Sequence, residues 1–468
     1  MKKHGKKRFY HIFNLLLVLL TIITLFMVYN TNILNITYFT VISIILILVN
    51  LAIIGGINHK NIFALLLGII IFVLEGIVNF YLFKTNNFLD KINNKTEIEV
   101  YRVVTLTSAA KDLEDIGNIG VLTNGDDGYK KAVDNITDTI PNTTAFTDTS
   151  ALTAALLAEK IPAILLDAST DVVLRENDEA YNASTKYIYE YEVKIKTNVN
   201  ASSKNILKET FSIYISGVDT YNKIATKTRS DVNIVLTVNP VTKKIVMTHI
   251  PRDYYVTLAG INSKDKLTHA SLYGIDTAMK AVENLLDTKI DYYVRLNFTS
   301  LVKIVDLLGG LDVNSKYSFE TGIYDDKMTK TYKFKQGLNH LDGDMALAFV
   351  RERHSFANGD ITRGENQMIV LTALINKAIS PKILTNYTKL LDSLDDAMIT
   401  NMTKKEITDY IKKEISKPSS YDITSVSLNG TSAMEYTYSY KANKLYVMVP
   451  NEEDISNYKT IVGALYSK

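Results

Sequence analysis

Three apolar runs fill the first part of the chain, at about residues 10–29, 33–57 and 62–83. Each approaches the roughly 20 residues that cross a hydrocarbon core of about 30 Å. No small-residue cleavage pattern ends the first run, and two more follow it. The pattern therefore predicts three transmembrane helices rather than a cleaved leader. Lys2, Lys3, Lys6, Lys7 and Arg8 precede the first run, and the loop at residues 30–32 has no Lys or Arg. The basic end is expected in the cytoplasm, and three crossings then place everything after about Lys84 outside. Glu75 interrupts the third run. A charge at that depth costs roughly 3 kcal/mol on insertion scales, so a protonated state or a polar partner such as Asn50 or Asn14 is expected.

Beyond the apolar runs the pattern changes. Residues 84–95 are polar and read as a linker. Residues 97–106, 119–122 and 163–166 read as strands, and residues 125–136 and 148–160 have helical spacing. Residues 187–195 alternate on a period of two and close this region. Strands alternating with helices predict a small α/β domain. A polar stretch at residues 198–205 separates it from three further strands, FSIYIS, DVNIVLTV and IVMTHI. Later, residues 271–286, 299–308 and 362–378 have helical spacing. Thr403 and Glu406 form a capping-box signature. Residues 423–428, 436–440 and 444–449 read as closing strands. The division is residues 1–84, basic tail and three membrane helices; 85–205, accessory domain; 206–468, a larger α/β domain with a central sheet flanked by helices.

Composition narrows the chemistry. Of 468 residues, 52 are Lys or Arg and 50 are Asp or Glu, a net charge of +2 that argues against nucleic-acid binding. There is no Cys, which removes disulfides, thiolate catalysis and thiolate metal sites. There is no Trp, so tyrosines such as Tyr10, Tyr29, Tyr38 and Tyr81 are the expected interfacial anchors.

If the three strands form an antiparallel meander, Asp219 at the end of the first, Asp231 at the start of the second and Arg252-Asp253 at the end of the third share one edge. Crowded carboxylates either take up a proton or hold a cation. Oxygen-only ligands favour Mg²⁺ or Mn²⁺. Ordinary turn residues at strand ends explain the same pattern. A second cluster contains Arg351, Arg353, Asp360, Arg363 and Gln367. Arg351 and Arg353, two apart, would share a face on a strand and fork onto a phosphate. Arg363, Gln367, Val370 and Leu374 fall on one helical stripe, polar first and apolar afterwards. A helix start with such donors suits an anion, although a solvated surface above a core-facing stripe fits equally.

The order of these pieces resembles the LytR–CpsA–Psr family of cell-envelope proteins. The matching segments are Arg229-Ser230-Asp231, Ile250-Pro251-Arg252-Asp253, Ile290 to Val294, Val305 to Val313, GLNHLDGDMALA at residues 337–348, and Arg351-x-Arg353 with Gly359-Asp360 through Arg363 and Gln367. They span the chain from about Phe211 onward. Residues 84–205 look like the accessory domain of a capsule-associated subgroup.

The resemblance implies a phosphotransferase. It would move a glycopolymer, capsular polysaccharide for this subgroup, from a polyprenyl-pyrophosphate lipid to peptidoglycan. By position, Asp219 and Asp231 would ligate Mg²⁺. Arg229, Arg252, Arg351, Arg353, Arg363 and Gln367 would hold the pyrophosphate. Arg252, Asp253 and Asp360 would lie at the chemistry. Val370, Leu374 and the helices at 271–286 and 299–308 are candidate walls for the lipid. Lys266-Leu267-Thr268-His269-Ala270 departs from a family pattern with Asn at the third position. The implied partners are the lipid-linked polysaccharide, peptidoglycan, the membrane and other capsule-assembly membrane proteins. A pyrophosphatase using water, and a non-enzymatic lipid-binding regulator of capsule assembly, are the rival readings.

Overall fold

The structure, a computed structural model, describes residues 2–93, 96–109, 112–197, 199, 202–218, 223–322, 330–378, 387–395, 397–416 and 420–467. Helices α1 (Lys2–Thr31), α2 (Ile36–Asn58) and α3 (Ile62–Ile92) form an N-terminal bundle, and each is long and apolar enough to cross a membrane. Leu15, Ile22, Phe26, Ile45 and Leu67 lie exposed on its outside. So broad an apolar surface suits hydrocarbon rather than water.

Polar groups meet inside the bundle. Thr21 donates to both Glu75 carboxylate oxygens at 2.9 and 3.1 Å, and Asn50 donates to Thr21 at 3.0 Å and to Glu75 at 3.3 Å. Asn14 pairs with Asn58 instead of Glu75. Asn79–Thr24 and Asn86–Thr31 continue the ladder towards the far end. The expected linker is helical through Ile92. Phe88, Leu89 and Ile92 cluster with Leu391 of the large domain, so the third helix continues as a docked stalk.

The accessory domain contains β1 (Thr96–Leu106), β2 (Ile119–Leu122), α4 (Asp127–Thr137), β3 (Thr143–Phe146), α5 (Thr149–Leu157), β4 (Ala163–Asp167), α6 (Ala168–Asn177), α7 (Glu179–Ser184) and β5 (Thr185–Lys196). Its sheet order is β3-β2-β4-β1-β5. Strand β2 runs parallel to β3 and β4, while β1 is antiparallel to β4 and β5. Strand β3 and helices α6 and α7 were not anticipated.

The large domain begins with β6 (Phe211–Val218), β7 (Val232–Asn239) and β8 (Lys244–His249). They form the expected antiparallel meander, with Ile215 opposite Ile234 and Ile234 opposite His249. Then come β9 (Tyr255–Leu258), β10 (Ser263–Lys266), α8 (Leu267–Ala270), α9 (Ile275–Leu286), β11 (Tyr292–Asn297), α10 (Phe298–Leu307), β12 (Leu311–Ser315), β13 (Phe319–Gly322), β14 (Thr331–Phe334), β15 (Gly337–Leu341), α11 (Gly343–Arg351), α12 (Gly359–Ala378), α13 (Tyr387–Asp395), β16 (Met398–Thr400), α14 (Lys404–Ser416), β17 (Asp422–Ser427), β18 (Gly430–Glu435), β19 (Leu445–Pro450) and α15 (Glu452–Tyr466).

The central sheet has the order β16-β11-β6-β7-β8-β17. Its strands alternate faces. Tyr214, Val235 and Val246 pack with Met279, Val282 and Tyr458 of α9 and α15, whereas Ile215, Ile234 and Met247 pack with Met368 of α12. Residues 436–440 do not form the expected strand. The strand lies earlier, as β18, and pairs with β19 in a separate two-stranded sheet. The closing helix α15 has no counterpart in the sequence reading.

Removing the Glu75 carboxylate strands Thr21 and Asn50 inside the bundle. Glu75→Ala is expected to cost about 1 kcal/mol and to lower the denaturation midpoint of the full chain in detergent. Glu75→Gln, which keeps an acceptor, should stay near the parent; equal losses in both would contradict a hydrogen-bonding role.

Candidate active site at the sheet edge

Strand β7 starts where β8 ends, so Asp231 and Arg252 arrive at the same edge. Arg252 Nη1 donates to Asp231 Oδ1 at 2.8 Å. Thr268 fastens the pair through its backbone: its N–H donates to Arg252 O at 2.8 Å, and its carbonyl accepts from Ser230 N at 3.2 Å. Its hydroxyl lies 3.5 Å from Asp231 Oδ1. The residue that departs from the family pattern thus sits directly against the site. Lys266, a contact the sequence reading did not assign, pairs with Asp253 at 3.1 Å.

Helix α12 brings the second cluster. Gly364 permits this, because a Cβ there would lie 2.1–2.3 Å from the His249 ring atoms. The second turn of α12 therefore lies on the end of β8. His249 is pushed down to about 3 by burial and by the Arg363 charge, so it is a neutral floor near pH 7. Arg363 Nη2 lies 3.0 Å from Asp360 Oδ1, but the approach is not aligned as a hydrogen bond, and Asp360 Oδ1 has no hydrogen-bond partner.

The electrostatics are mutual. Burial alone would raise the Asp231 carboxyl, but Arg252 foremost, with Arg363 and Arg229, holds it below the usual carboxylate range. Asp253 is likewise held down against burial by Lys266 and Arg252. Arg363 is weakened as an acid-stable cation by burial and by repulsion from Arg252, and Arg353 adds to that repulsion.

Three buried polar atoms here, Arg252 Nε, Arg363 Nε and Gln367 Oε1, have no hydrogen-bond partner. The nearest carboxylate to Arg252 Nε is Asp253 at 3.7 Å, too far for a hydrogen bond. Gln367 Nε2 is held by Val350 O at 3.3 Å. Beyond Gln367 opens an apolar cavity of about 330 Å³, lined by Val370 and Leu374, by Leu301, Ile304 and Leu308, and by Ile215 and Ile234 of the sheet. Of the two helices expected as walls, α10 contributes. Helix α9 does not: Met279, Val282, Leu285 and Leu286 pack in or against the core on the opposite face.

Two arginines fall differently from expectation. Arg351 ends helix α11, and Arg353 follows its cap Glu352 in a loop, so they do not share a strand face. GDMALAFVR has helical spacing up to Arg351, and Asp342 caps its start by accepting from Met345 N at 2.8 Å. Arg229 pairs with Glu176 of the accessory domain. The segment that carries Arg229 is stitched to that domain: Ile98 N donates to Ala225 O and Lys227 N to Ile98 O, both at 2.8 Å. Lys227 pairs with Glu99, and the fully buried Arg295 with Glu97. These contacts join residues too distant in sequence for a local pattern to reveal.

The metal expectation rests on a pair of which Asp219 lies outside the described residues. Asp231 already receives Arg252, and among the described residues no group of three or more His, Cys, Asp or Glu is placed to hold an ion. The described part alone does not make a divalent-metal site.

These features define a class: an α/β domain on an apolar helical anchor, with arginines gathered at one sheet edge and an apolar cavity beside Gln367. The profile of the LytR_cpsA_psr family matches residues 175–460, and the chain belongs to that family. It is 35% identical over 221 residues to the polyisoprenyl-teichoic acid–peptidoglycan teichoic acid transferase TagU of Enterococcus faecalis, covering 46% of this chain and 69% of the relative. It is 36% identical over 197 residues to the TagU transferase of Bacillus subtilis, covering 42% and 61%. Among solved structures it is similar to B. subtilis TagV, with 30% identity, a TM-score of 0.45, and coverage of 56% of this chain and 99% of that one.

Two outcomes are expected. Gly364→Ala should force α12 off β8, costing about 1–3 kcal/mol of stability, read as a lower melting midpoint. Glu176→Gln should free Arg229 from an exposed ion pair worth up to about 1 kcal/mol. The melting midpoint of the full chain in detergent should fall only slightly, as the loss of one exposed pair allows, whereas a large drop would mean that the pair carries the docking of the two domains.

Proposed function

We propose that this chain is a phosphotransferase that moves a glycopolymer from a polyprenyl-pyrophosphate carrier to peptidoglycan. In this reading the polymer is a capsular polysaccharide, a choice supported by the likeness of the accessory domain to that of a capsule-associated subgroup. The observation that carries the reading is the set of unpartnered buried donors and acceptors, Arg252 Nε, Arg363 Nε and Gln367 Oε1, of which Gln367 also lines the apolar cavity. A diphosphate satisfies guanidinium forks, and the cavity takes its hydrocarbon chain. The names of the relatives supply a polyisoprenyl carrier, a cell-wall polymer and peptidoglycan. The basic N-terminus stays cytoplasmic, three helices cross the membrane, and both folded domains lie outside, where peptidoglycan is.

In the reaction an acceptor hydroxyl oxygen bonds the phosphorus that carries the glycopolymer. The bond from that phosphorus to the bridging oxygen breaks, and polyprenyl phosphate leaves with the electron pair. Asp360 takes the hydroxyl proton in this reading; its Oδ1 has no hydrogen-bond partner, although Arg363 lies 3.0 Å away. Asp253, held down by Lys266 and Arg252, stays a carboxylate beside Arg252. Arg252 and Arg363 neutralise charge as it spreads over the non-bridging oxygens. Mg²⁺, or Mn²⁺ in its place, belongs to the proposal through Asp219 and Asp231, and would neutralise further diphosphate charge.

The test combines the full chain in nanodiscs, a lipid-linked oligosaccharide and a peptidoglycan oligomer, with and without chelator. A phosphodiester product is expected by mass, and loss on chelation would support the ion. Arg252→Ala should lower transfer by at least about 100-fold, with Arg252→Lys as the control that keeps the Asp231 charge compensated. Full transfer by both variants would sink the site, and release of phosphorylated glycan alone would make the chain a hydrolase.

A further inference from the structure

Helix α12 has a second groove on its other side. Glu365, Met368, Ile369, Thr372, Ala373 and Asn376 line it, at the i, i+3, i+4, i+7, i+8, i+11 spacing of a single stripe. Strand β17 supplies the facing wall through Ile423, Ser425 and Ser427, and β12 supplies Val313 and Asn314. The β17 positions are two apart and so share a face. The enclosed volume is about 410 Å³.

This groove begins at the reacting edge. Ser427 lies opposite His249 in the β8–β17 register, and Arg252 follows three residues later. Glu365 adjoins Gly364, which rests on His249, and pairs with Lys316 at 2.9 Å. From there the groove follows α12 for about 16 Å, ending near Asn376. Its wall carries the hydroxyls and carboxamides of Thr372, Ser425, Ser427, Asn314 and Asn376, groups that both donate and accept, with Asp312, Lys316 and Glu365 as its charged members, over apolar ground from Val313, Ile369 and Ala373. One such atom, Ser427 Oγ, is buried with no hydrogen-bond partner. That chemistry suits sugar rings, which offer hydroxyl and acetamido groups at their edges and C–H faces between them.

We propose that this groove seats the glycan strand of the peptidoglycan acceptor. The choice of acceptor over donor polymer rests on the phosphotransfer reading above together with geometry. The lipid cavity is lined by Gln367, Val370, Leu371 and Leu374, the groove by the other stripe of the same helix. In an in-line displacement the nucleophile enters opposite the leaving group. With the departing polyprenyl phosphate on one side of α12, the incoming hydroxyl comes from the other.

The test uses the full chain in nanodiscs and a peptidoglycan glycan tetrasaccharide of alternating N-acetylglucosamine and N-acetylmuramic acid. Ser425→Trp, on the exposed edge strand, fills the groove; Asn376→Ala removes one polar contact far from the reacting edge. Ser425→Trp is expected to weaken tetrasaccharide binding at least ten-fold and to raise the acceptor KM without changing kcat or pyrophosphate-lipid affinity. Asn376→Ala should do the same by a few-fold. Unchanged tetrasaccharide binding in both variants overturns the groove, even if transfer proceeds. Weakened binding of lipid-linked donor alone also overturns it, because the groove would then hold the donor polymer. If the parent chain transfers nothing yet binds the tetrasaccharide and loses it in Ser425→Trp, the groove stands and the phosphotransfer reading falls.

Discussion

Guanidinium groups crowded into a buried place set the terms for the site. Arg363 is 8% exposed, with Arg252 and Arg353 close enough to disfavour its charge. Arginine does not shed its proton in a protein, so the fold has to supply negative charge. Asp231, Asp253 and Asp360 do so at the strand ends and the helix start. Their compensation is incomplete in a specific way, since it leaves Arg252 Nε and Arg363 Nε without acceptors. Buried donors left open cost about 1–3 kcal/mol each. Any acceptor that reaches these two nitrogens recovers that cost.

Helix α12 turns that charge problem into a spatial arrangement. Its N-terminal turns carry Asp360 and Arg363, and two stripes along it face different environments, one apolar and the other mixed. Only a glycine allows the helix to approach β8 closely enough, because His249 occupies the space of a side chain at position 364. The depressed basicity of His249 follows from the same contact, so the floor beneath the arginines does not add a fourth positive charge.

Much of this was legible in the sequence. The apolar runs FSIYIS, DVNIVLTV and IVMTHI encode a sheet with two buried faces, and counting along a meander brings Asp231 to Arg252 without coordinates. The stripe from Arg363 to Leu374 gave the polar-to-apolar passage. The errors have physical causes. Arg351-x-Arg353 suggested a strand face, but two residues apart also describes a helix end and the loop beyond its cap. Met279, Val282, Leu285 and Leu286 looked suitable for lipid, yet amphipathic spacing does not say which face of a sheet a helix covers. The stretch at residues 436–440 is rich in tyrosine, as strands are, but the pairing that defines β18 runs to Glu435 and stops. Glu97, Glu99 and Glu176 could not be assigned at all, because their partners lie across a domain boundary.

The anchor and the cavity share a wall. Leu391 of α13 packs against Phe88, Leu89 and Ile92 of the α3 stalk, with Leu394 at the edge of that cluster; Leu394 also lines the apolar cavity. Lys84–Asp392 and Lys404–Asp90 hold α13 and α14 to the stalk from outside. Both pairs are largely exposed and contribute little singly, so the apolar contact carries most of the docking. A cavity wall fixed to a membrane helix cannot drift far from the bilayer surface. Under the proposed function, a polyprenyl tail would pass from one apolar phase to another over a short path, with little of its length crossing water. The same connection makes the cavity sensitive to the bundle: a shift of α3 moves Leu391, and through α13 it moves Leu394 relative to Val370 and Leu374.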